Sequence, residues 1–149
     1  MIIISHRGNH DGLLVENNPV ELPLNRYICE VDLWDVGGNL YLGHDKPQYI
    51  IDFDFIFRNS KRILFHAKNL GALEYIINYD LWGFWHDVDK YTLTTKNEIV
   101  AYPGLQIPAT CAIIMKPELL SRVGLKAMNP YAICTDYPER FECYETNTV

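Results

Sequence analysis

A short apolar stretch, residues 28–34, reads ICEVDLW and decides the fold that this sequence predicts. Its β-branched, aliphatic and aromatic residues are typical of a buried β-strand, and only Glu30 and Asp32 interrupt them. Residues two apart on a strand point to the same side, so the two carboxylates face the same way. Burying two negative charges together is costly unless something positive lies between them. A hard divalent cation is the simplest candidate; the alternative is a pair of exposed carboxylates on the solvent face of an edge strand.

The composition is that of one globular domain spanning residues 1–149. The chain is 48% hydrophobic and 13% aromatic, which is enough to bury a core at this length. No apolar run approaches the roughly 20 residues that a membrane helix needs, and the amino terminus lacks the basic region of a signal peptide. The formal net charge of −6 argues against nucleic-acid binding. We therefore expect a cytoplasmic domain with reduced cysteines, because no CxxC spacing links Cys29, Cys111, Cys134 and Cys143.

Apolar runs predict seven strands, and helical patterns separate several of them. The strands are expected at residues 2–4, 28–34, 62–68, 81–85, 98–102, 111–115 and 131–134. A helix is expected over residues 48–59, a second after Asn69, which would cap it, and a short third from Pro117. Strands that alternate with helices predict βα units around a parallel sheet.

Polar residues recur where these strands end. In parallel α/β folds, chemistry collects at the carboxyl ends of the strands. The strands are assigned from apolar runs alone, so polar clustering at their ends is independent evidence for a functional site. A histidine and an arginine after one strand are, in isolation, more often surface residues. The residues at or near strand ends are His6, Arg7, His44, His66, Lys68, His86 and Asp136.

Five short motifs lie in order along the chain: His6-Arg7-Gly8, Glu16-Asn17-Asn18, Glu30-Val31-Asp32, His44-Asp45 and Thr135-Asp136-Tyr137-Pro138. Together they resemble the glycerophosphodiester phosphodiesterase family, a branch of the phospholipase-C-like TIM barrels. The resemblance implies an α/β fold of the TIM type. Because a complete (β/α) barrel rarely falls below about 200 residues, we expect a trimmed or incomplete barrel with shortened or missing helices.

The resemblance also implies one divalent metal ion, held by Glu30, Asp32 and a residue of the third strand. The family carries Glu-x-Lys on that strand, whereas this chain has His66-Ala67-Lys68, so an imidazole replaces a carboxylate. Neutral imidazole binds Mn or Zn well and Mg or Ca less readily. We expect Mg, Ca or Mn, with Zn as an option because of His66. The alternative is that His66 is only a hydrogen-bonded residue of the inner face.

The function that the resemblance implies is that of a metal-dependent phosphodiesterase, an enzyme that hydrolyses glycerophosphodiesters or a related small phosphodiester. His6 and His44 are the expected acid–base pair, because imidazole titrates near neutral pH. Arg7 offers a planar fork suited to phosphate, and Lys68 offers a point charge. Support or substrate contacts are expected from Glu16, Asp45, Trp85, His86 and Asp136.

Two other functions stay open. A lyase would use the same site but form a cyclic phosphate without hydrolysing it. A degenerate barrel would instead be a non-catalytic module that binds phosphate or a sugar phosphate. A homodimer is a further hypothesis, because a trimmed barrel leaves apolar surface that a second subunit could cover.

Overall fold

The computed structural model describes residues 1–105, 107 and 110–142, and in this part of the chain ten strands form one sheet. The strands are β1 (Ile2–His6), β2 (Ile28–Val36), β3 (Asn39–Leu42), β4 (Tyr49–Ile51), β5 (Ile63–Ala67), β6 (Gly83–Trp85), β7 (Tyr91–Leu93), β8 (Ile99–Ala101), β9 (Ala112–Met115) and β10 (Ala132–Thr135). The helices are α1 (Phe53–Asn59), α2 (Leu70–Asn78) and α3 (Arg122–Met128), with single 3₁₀ turns at Ser60–Arg62, Pro117–Leu119 and Pro138–Arg140.

Seven strands pair in parallel, in the order β6-β5-β2-β1-β10-β9-β8. These are the seven strands that the apolar runs predict, so their existence is confirmed. The strands β3, β4 and β7 pair antiparallel with their neighbours. The β2–β3 hairpin turns at Gly37 and Gly38, whose φ angles are 61° and 83°. Two positive φ angles in a two-residue loop define the type I′ turn that matches strand twist, and glycine adopts them without strain.

The predicted trimmed TIM-type (β/α) barrel is wrong. The described residues form a curled mixed sheet, a half-barrel, with three short helices in place of a helix after each strand. The connection from β1 to β2 contains no helix, and antiparallel strands occupy other connections. The reason is chain length, because each strand–helix–strand unit needs about 30 residues. Short hairpins and turns connect many of the strands instead.

The helix predicted over residues 48–59 is wrong in its first half. Tyr49–Ile51 forms β4, and α1 begins only after Asp52, whose side chain accepts a hydrogen bond from the Phe55 N–H. A short apolar run fits a strand as well as a helix, so periodicity alone does not separate the two. The cap predicted at Asn69 is confirmed, because its side chain accepts from the Ala72 N–H.

The inner face of the curled sheet carries an apolar layer followed by a polar layer. Residues from several strands form one buried cluster that includes Ile4, Leu64, Phe84, Val100, Ile113 and Cys134. Side chains alternate along a strand, so the residues two positions further on share this inner face. Four of these strand-end residues are His6, His66, His86 and Asp136. Two further clusters pack on the outer face, under α1 and α2 and under α3.

No helix in the described ranges is both long enough and apolar enough to cross a membrane. Among the described cysteines, Cys29, Cys111 and Cys134 are free thiols. Burial raises the pKa of Cys29 to about 12, which makes it unreactive at neutral pH. Cys143 lies outside the described residues.

Candidate active site

A cavity of about 220 Å³ lies at the carboxyl ends of the parallel strands. Seven residues predicted from the sequence line it: His6, Arg7, Glu30, Asp32, His44, His66 and His86. Four more predicted residues contact this lining: Glu16, Lys68, Asp45 and Asp136. Strands far apart in sequence therefore bring eleven of the twelve predicted site residues together.

Trp85 is the one of the twelve predicted site residues that does not belong to this group. Its side chain is 38% exposed, and its backbone carbonyl accepts a hydrogen bond from the Thr92 hydroxyl. Other rings lie at the cavity: Phe84 stacks on His66 at 4.7 Å between centroids, and His86 lies 5.7 Å from His66. On β6, Trp85 faces away from the inner side because Phe84 and His86 occupy the alternate positions.

Glu30, Asp32 and His66 form an acidic triad on two neighbouring strands. Each offers a ligand atom, and these atoms lie within 4.8 Å of one another. The parallel register pairs Asp32 with His66, which places the His66 Nδ1 3.0 Å from Asp32 Oδ1 and 3.8 Å from Glu30 Oε1. Both carboxylates are 1% exposed. Two carboxylate oxygens and an imidazole nitrogen are a donor set that suits a divalent ion.

The two carboxylates of the acidic triad are in different electrostatic states. Burial and the charge of Asp32 raise the pKa of Glu30. Burial also acts to raise the pKa of Asp32, but the hydrogen bond and charge of His66, with Lys68 and Asn17, outweigh it and lower that pKa. Within the described residues, Glu30 accepts one hydrogen bond, from the Arg7 N–H to Oε2 at 3.2 Å. The charges of His6, His66 and Arg7 act against this rise without outweighing it, so the Glu30 carboxylate is the less stabilised of the two and is the one that a cation would favour most in its ionised form.

Asn17 fixes the orientation of Asp32, a role that the sequence analysis missed. Its Nδ2 donates to Asp32 Oδ2 at 2.9 Å, and its Oδ1 accepts from the Asp32 N–H at 2.9 Å. Asn17 is fully buried and has a φ of 71°. Asparagine tolerates this left-handed region better than most residues, so both its side chain and its backbone suit the position.

We expect Asn17→Ala to lower the free energy of unfolding by about 2–3 kcal/mol, because it removes hydrogen bonds to a buried charge and strains a left-handed backbone. Asn17→Gly should cost less, because glycine accepts the positive φ. Urea denaturation in a chelating buffer measures both values. Equal losses in the two variants would mean that backbone strain contributes nothing.

His6 and His44 each pair one ring nitrogen with a carboxylate. The His6 Nδ1 donates to Asp136 Oδ1 at 2.7 Å, and the His44 Nδ1 donates to Asp45 Oδ1 at 2.6 Å. An ionised carboxylate only accepts, so each Nδ1 carries the proton and each Nε2 is left for other partners. The His6 Nε2 lies 4.0 Å from Glu30 Oε2. Each imidazole is thus oriented as a proton-transfer group requires.

One oxygen of Asp136, Oδ1, accepts two hydrogen bonds. Asn9 Nδ2 donates to its Oδ1 at 2.8 Å, beside the His6 bond. Burial acts to raise the pKa of Asp136, but the His6 hydrogen bond and charge, Asn9 and Lys116 lower it overall. Burial acts to lower the pKa of His6, but the hydrogen bond to Asp136 and the charges of Glu30 and Asp136 outweigh burial and raise that pKa overall. The two groups are therefore most stabilising when both are charged.

We expect Asp136→Asn to lower stability by about 1–2 kcal/mol near pH 6, where the charged hydrogen bond is present. A lowered carboxyl pKa adds stability above the unfolded value of about 3.8, and this stability is lost as the pH falls. A raised histidine pKa adds stability below about 6.5, which is lost as the pH rises through the folded value. Thermal unfolding measured across pH should show the largest difference in stability between Asp136→Asn and the wild type from about pH 3.8 to about pH 6.5. A constant difference at all pH values would contradict the ion pair.

Three cations reach the cavity or its lining: Arg7, Lys68 and Lys116. The Arg7 Nη1 donates to Glu16 Oε2 at 3.0 Å, while its buried Nε lies 3.6 Å from Asp32 Oδ2 without a hydrogen bond. The Lys68 Nζ lies 3.5 Å from Asp32 Oδ1. Lys116 lines the cavity and was missed, because strand alternation points it away from the inner face. Each of these cations lies beside a carboxylate, and together they bring to the cavity positive charge that an anion could contact.

Comparison of the chain with protein-family models, with curated proteins and with solved structures gives no match. The resemblance to glycerophosphodiester phosphodiesterases therefore stays a prediction, carried by the five motifs alone.

Proposed function

We propose that this protein is a metal-dependent phosphodiesterase that acts on small phosphodiesters. One observation carries the proposal: the acidic triad, two carboxylate-oriented histidines and the Arg7 guanidinium meet in the same cavity. Phosphodiester cleavage needs charge neutralisation, a base for the nucleophile and an acid for the leaving group. The cavity offers a candidate for each need.

Glu30, Asp32 and His66 would hold one divalent ion, which would supply Lewis-acid stabilisation of phosphoryl oxygens. Arg7 would bind the phosphate through its planar fork, held in place by Glu16. One imidazole, at Nε2, would take the proton of a water or of a neighbouring substrate hydroxyl. The other would give a proton to the departing alcohol oxygen, and Asp136 and Asp45 would keep both rings in the right tautomer.

The cavity size favours small substrates. Pockets for drug-sized ligands are about 300–1,000 Å³, and the cavity here is about 220 Å³. This volume suits the phosphate of a diester and one of its two alcohol groups, so the second group would extend beyond the cavity. The glycerol esters expected from the sequence belong to this size class.

The test is turnover of glycerophosphocholine and bis(p-nitrophenyl) phosphate with Mg, Ca, Mn or Zn. We expect activity that depends on the ion and is lost in Glu30→Gln and His6→Ala. His10→Ala is a matched control, because the His10 Nδ1 bonds the Gly8 carbonyl and His10 does not line the cavity. The enzymatic proposal fails if the wild type shows no more turnover than Glu30→Gln and His6→Ala with every ion and both diesters. Phosphorus NMR of the product separates hydrolysis from formation of a cyclic phosphate.

The homodimer and the cytoplasmic location predicted from the sequence stay predictions. Exposed aromatic side chains on α1, Phe53 and Phe57, stack with ring centroids 6.0 Å apart, and Phe53 also contacts Tyr79. Such a patch is compatible with a second copy of the chain. Sedimentation that does not change with protein concentration would remove the dimer.

A further inference from the structure

Lys116 breaks the alternation of the strand that precedes it. In β9, Ile113 belongs to the inner cluster and Met115 packs against it, so the next residue should point to the outer face. Lys116 nevertheless lines the cavity together with Met115. A local change of backbone direction must therefore bring two consecutive residues to the same side.

The backbone at Lys116 is left-handed, with φ 48° and ψ 59°. This region is unfavourable for a residue with a Cβ, and helical conformations are disfavoured directly before a proline such as Pro117. Arg7 is also cationic, lines the cavity and directly follows an inner-face strand residue. Its φ is 53°. Backbone strain of this kind persists where the surroundings impose it, and it clusters at functional sites.

The backbone of Lys116 is hydrogen-bonded, since its N–H donates to the Cys134 carbonyl at 2.7 Å and its carbonyl accepts from the Leu119 N–H at 3.1 Å, but its side chain makes no hydrogen bond with a described residue. Its Nζ lies 3.6 Å from Asp136 Oδ2, which is an ion pair but too long for a hydrogen bond. The side chain is 37% exposed, and no described residue accepts a hydrogen bond from the Nζ. A lysine ammonium has three donors, and none of them is committed to a hydrogen bond with a described residue, so the Nζ can contact a ligand while it stays near Asp136.

We propose that Lys116 is a substrate-binding residue whose ammonium contacts a phosphoryl oxygen from the β9 side of the cavity. In the sheet order, β9 is three strands from β2, which carries two members of the acidic triad. The substrate phosphate would lie between these two walls, next to His6, because Lys116 and His6 contact the same Asp136 carboxylate. This inference rests on the proposed function, and it names a residue that none of the sequence motifs contains.

The test is calorimetric titration of inorganic phosphate into the wild-type protein and Lys116→Gly, with Mg²⁺ or Mn²⁺ present. We expect the phosphate Kd to rise at least tenfold in the variant. We expect the Tm to stay equal or to rise, because glycine adopts φ 48° without strain. A lysine with a structural role would give the opposite change in Tm.

Asn129→Gly is the matched control. Asn129 also has a left-handed backbone, with φ 45° and ψ 57°, and it also precedes a proline, but it lies at the exposed end of α3. This substitution introduces glycine at the same backbone conformation, with a smaller relief of strain because asparagine tolerates the left-handed region better than lysine, and it should not change the phosphate Kd. Lys116→Arg should keep phosphate affinity closer to that of the wild type, because the positive charge is retained.

An unchanged phosphate Kd in Lys116→Gly, or no phosphate binding by the wild type, would overturn the role of Lys116. Phosphate binding is measured without turnover, so this test is independent of the test of the proposed function. Phosphate binding that depends on Lys116, with no diester cleaved, supports the binding role and defeats only the enzyme. Cleavage whose KM is the same in Lys116→Gly and wild type supports the enzyme and defeats only the role of Lys116.

Discussion

Glu30→Gln is expected to make the metal-free protein more stable and to abolish its response to divalent cations. The pKa of Glu30 is raised by burial and by the charge of Asp32, so the ionised carboxylate opposes folding. The difference between variant and wild type should be absent below pH 4.5 and should grow as the pH rises towards the folded pKa. Glutamine keeps the shape of the side chain, and its carbonyl oxygen still accepts from the Arg7 N–H.

Added metal should reverse this order of stability. A ligand at one hundred times its Kd stabilises a folded protein by about 2.7 kcal/mol, and only the wild type should gain it. Thermal unfolding with a chelator, and then with Mn²⁺ added, measures both effects. A Glu30→Gln protein that Mn²⁺ stabilises as much as the wild type would show that the acidic triad is not the metal site.

Asp32→Asn is the matched comparison, because the two carboxylates are two residues apart on the same strand. The hydrogen bonds from His66 and Asn17 and the positive charges of His66 and Lys68 lower the pKa of Asp32. Its neutralisation leaves buried donors without an anion, so the metal-free variant should be less stable. Opposite signs for the two substitutions are expected, although both should lose metal binding.

His6→Ala is expected to lower kcat for a phosphodiester by about 10²–10⁴-fold, the usual contribution of one general acid or base. His6 is nearly buried, its Nδ1 is held by Asp136 and its Nε2 faces Glu30. His10→Ala, also a histidine but outside the cavity, should keep most of the activity. Equal activity of His6→Ala and wild type would exclude His6 from proton transfer.

The choice of leaving group assigns the two histidines. A p-nitrophenolate departs without a proton, whereas the aliphatic alkoxide that leaves glycerophosphocholine needs one. The variant at the general acid should therefore lose much less activity with bis(p-nitrophenyl) phosphate than with glycerophosphocholine. His6→Ala and His44→Ala, each measured with both substrates, should show this difference in one variant only. The same small difference in both would contradict division of labour between the two imidazoles.

The position of the site could be predicted because it depends on two local rules. Apolar runs mark parallel strands, and alternation brings residues such as Glu30 and Asp32 to one face. The parallel register of β2 and β5 then places His66 beside Asp32, a contact that the sequence analysis expected only from the family resemblance. Both rules act over a few residues, so one sequence contains the information they need.

The architecture and some of the site depend on effects that such rules do not capture. The short strand β4 has the same apolar character as a helical turn, and the outcome was set by pairing with β3. Lys116 reaches the cavity because its backbone is left-handed, and a lysine at that position does not predict this conformation. Asn17 belongs to a motif, but its contact with Asp32 depends on how the loop after β1 folds back.

The layered interior also separates two demands on the sequence. The apolar residues below, such as Ile4 and Leu64, form the inner core, while strand-end residues above them line the cavity. Substitutions at the upper level can alter substrate preference without repacking the lower level. A library limited to strand-end positions such as 86 and 102 should therefore yield mostly folded proteins, which makes this small scaffold a practical starting point for directed evolution.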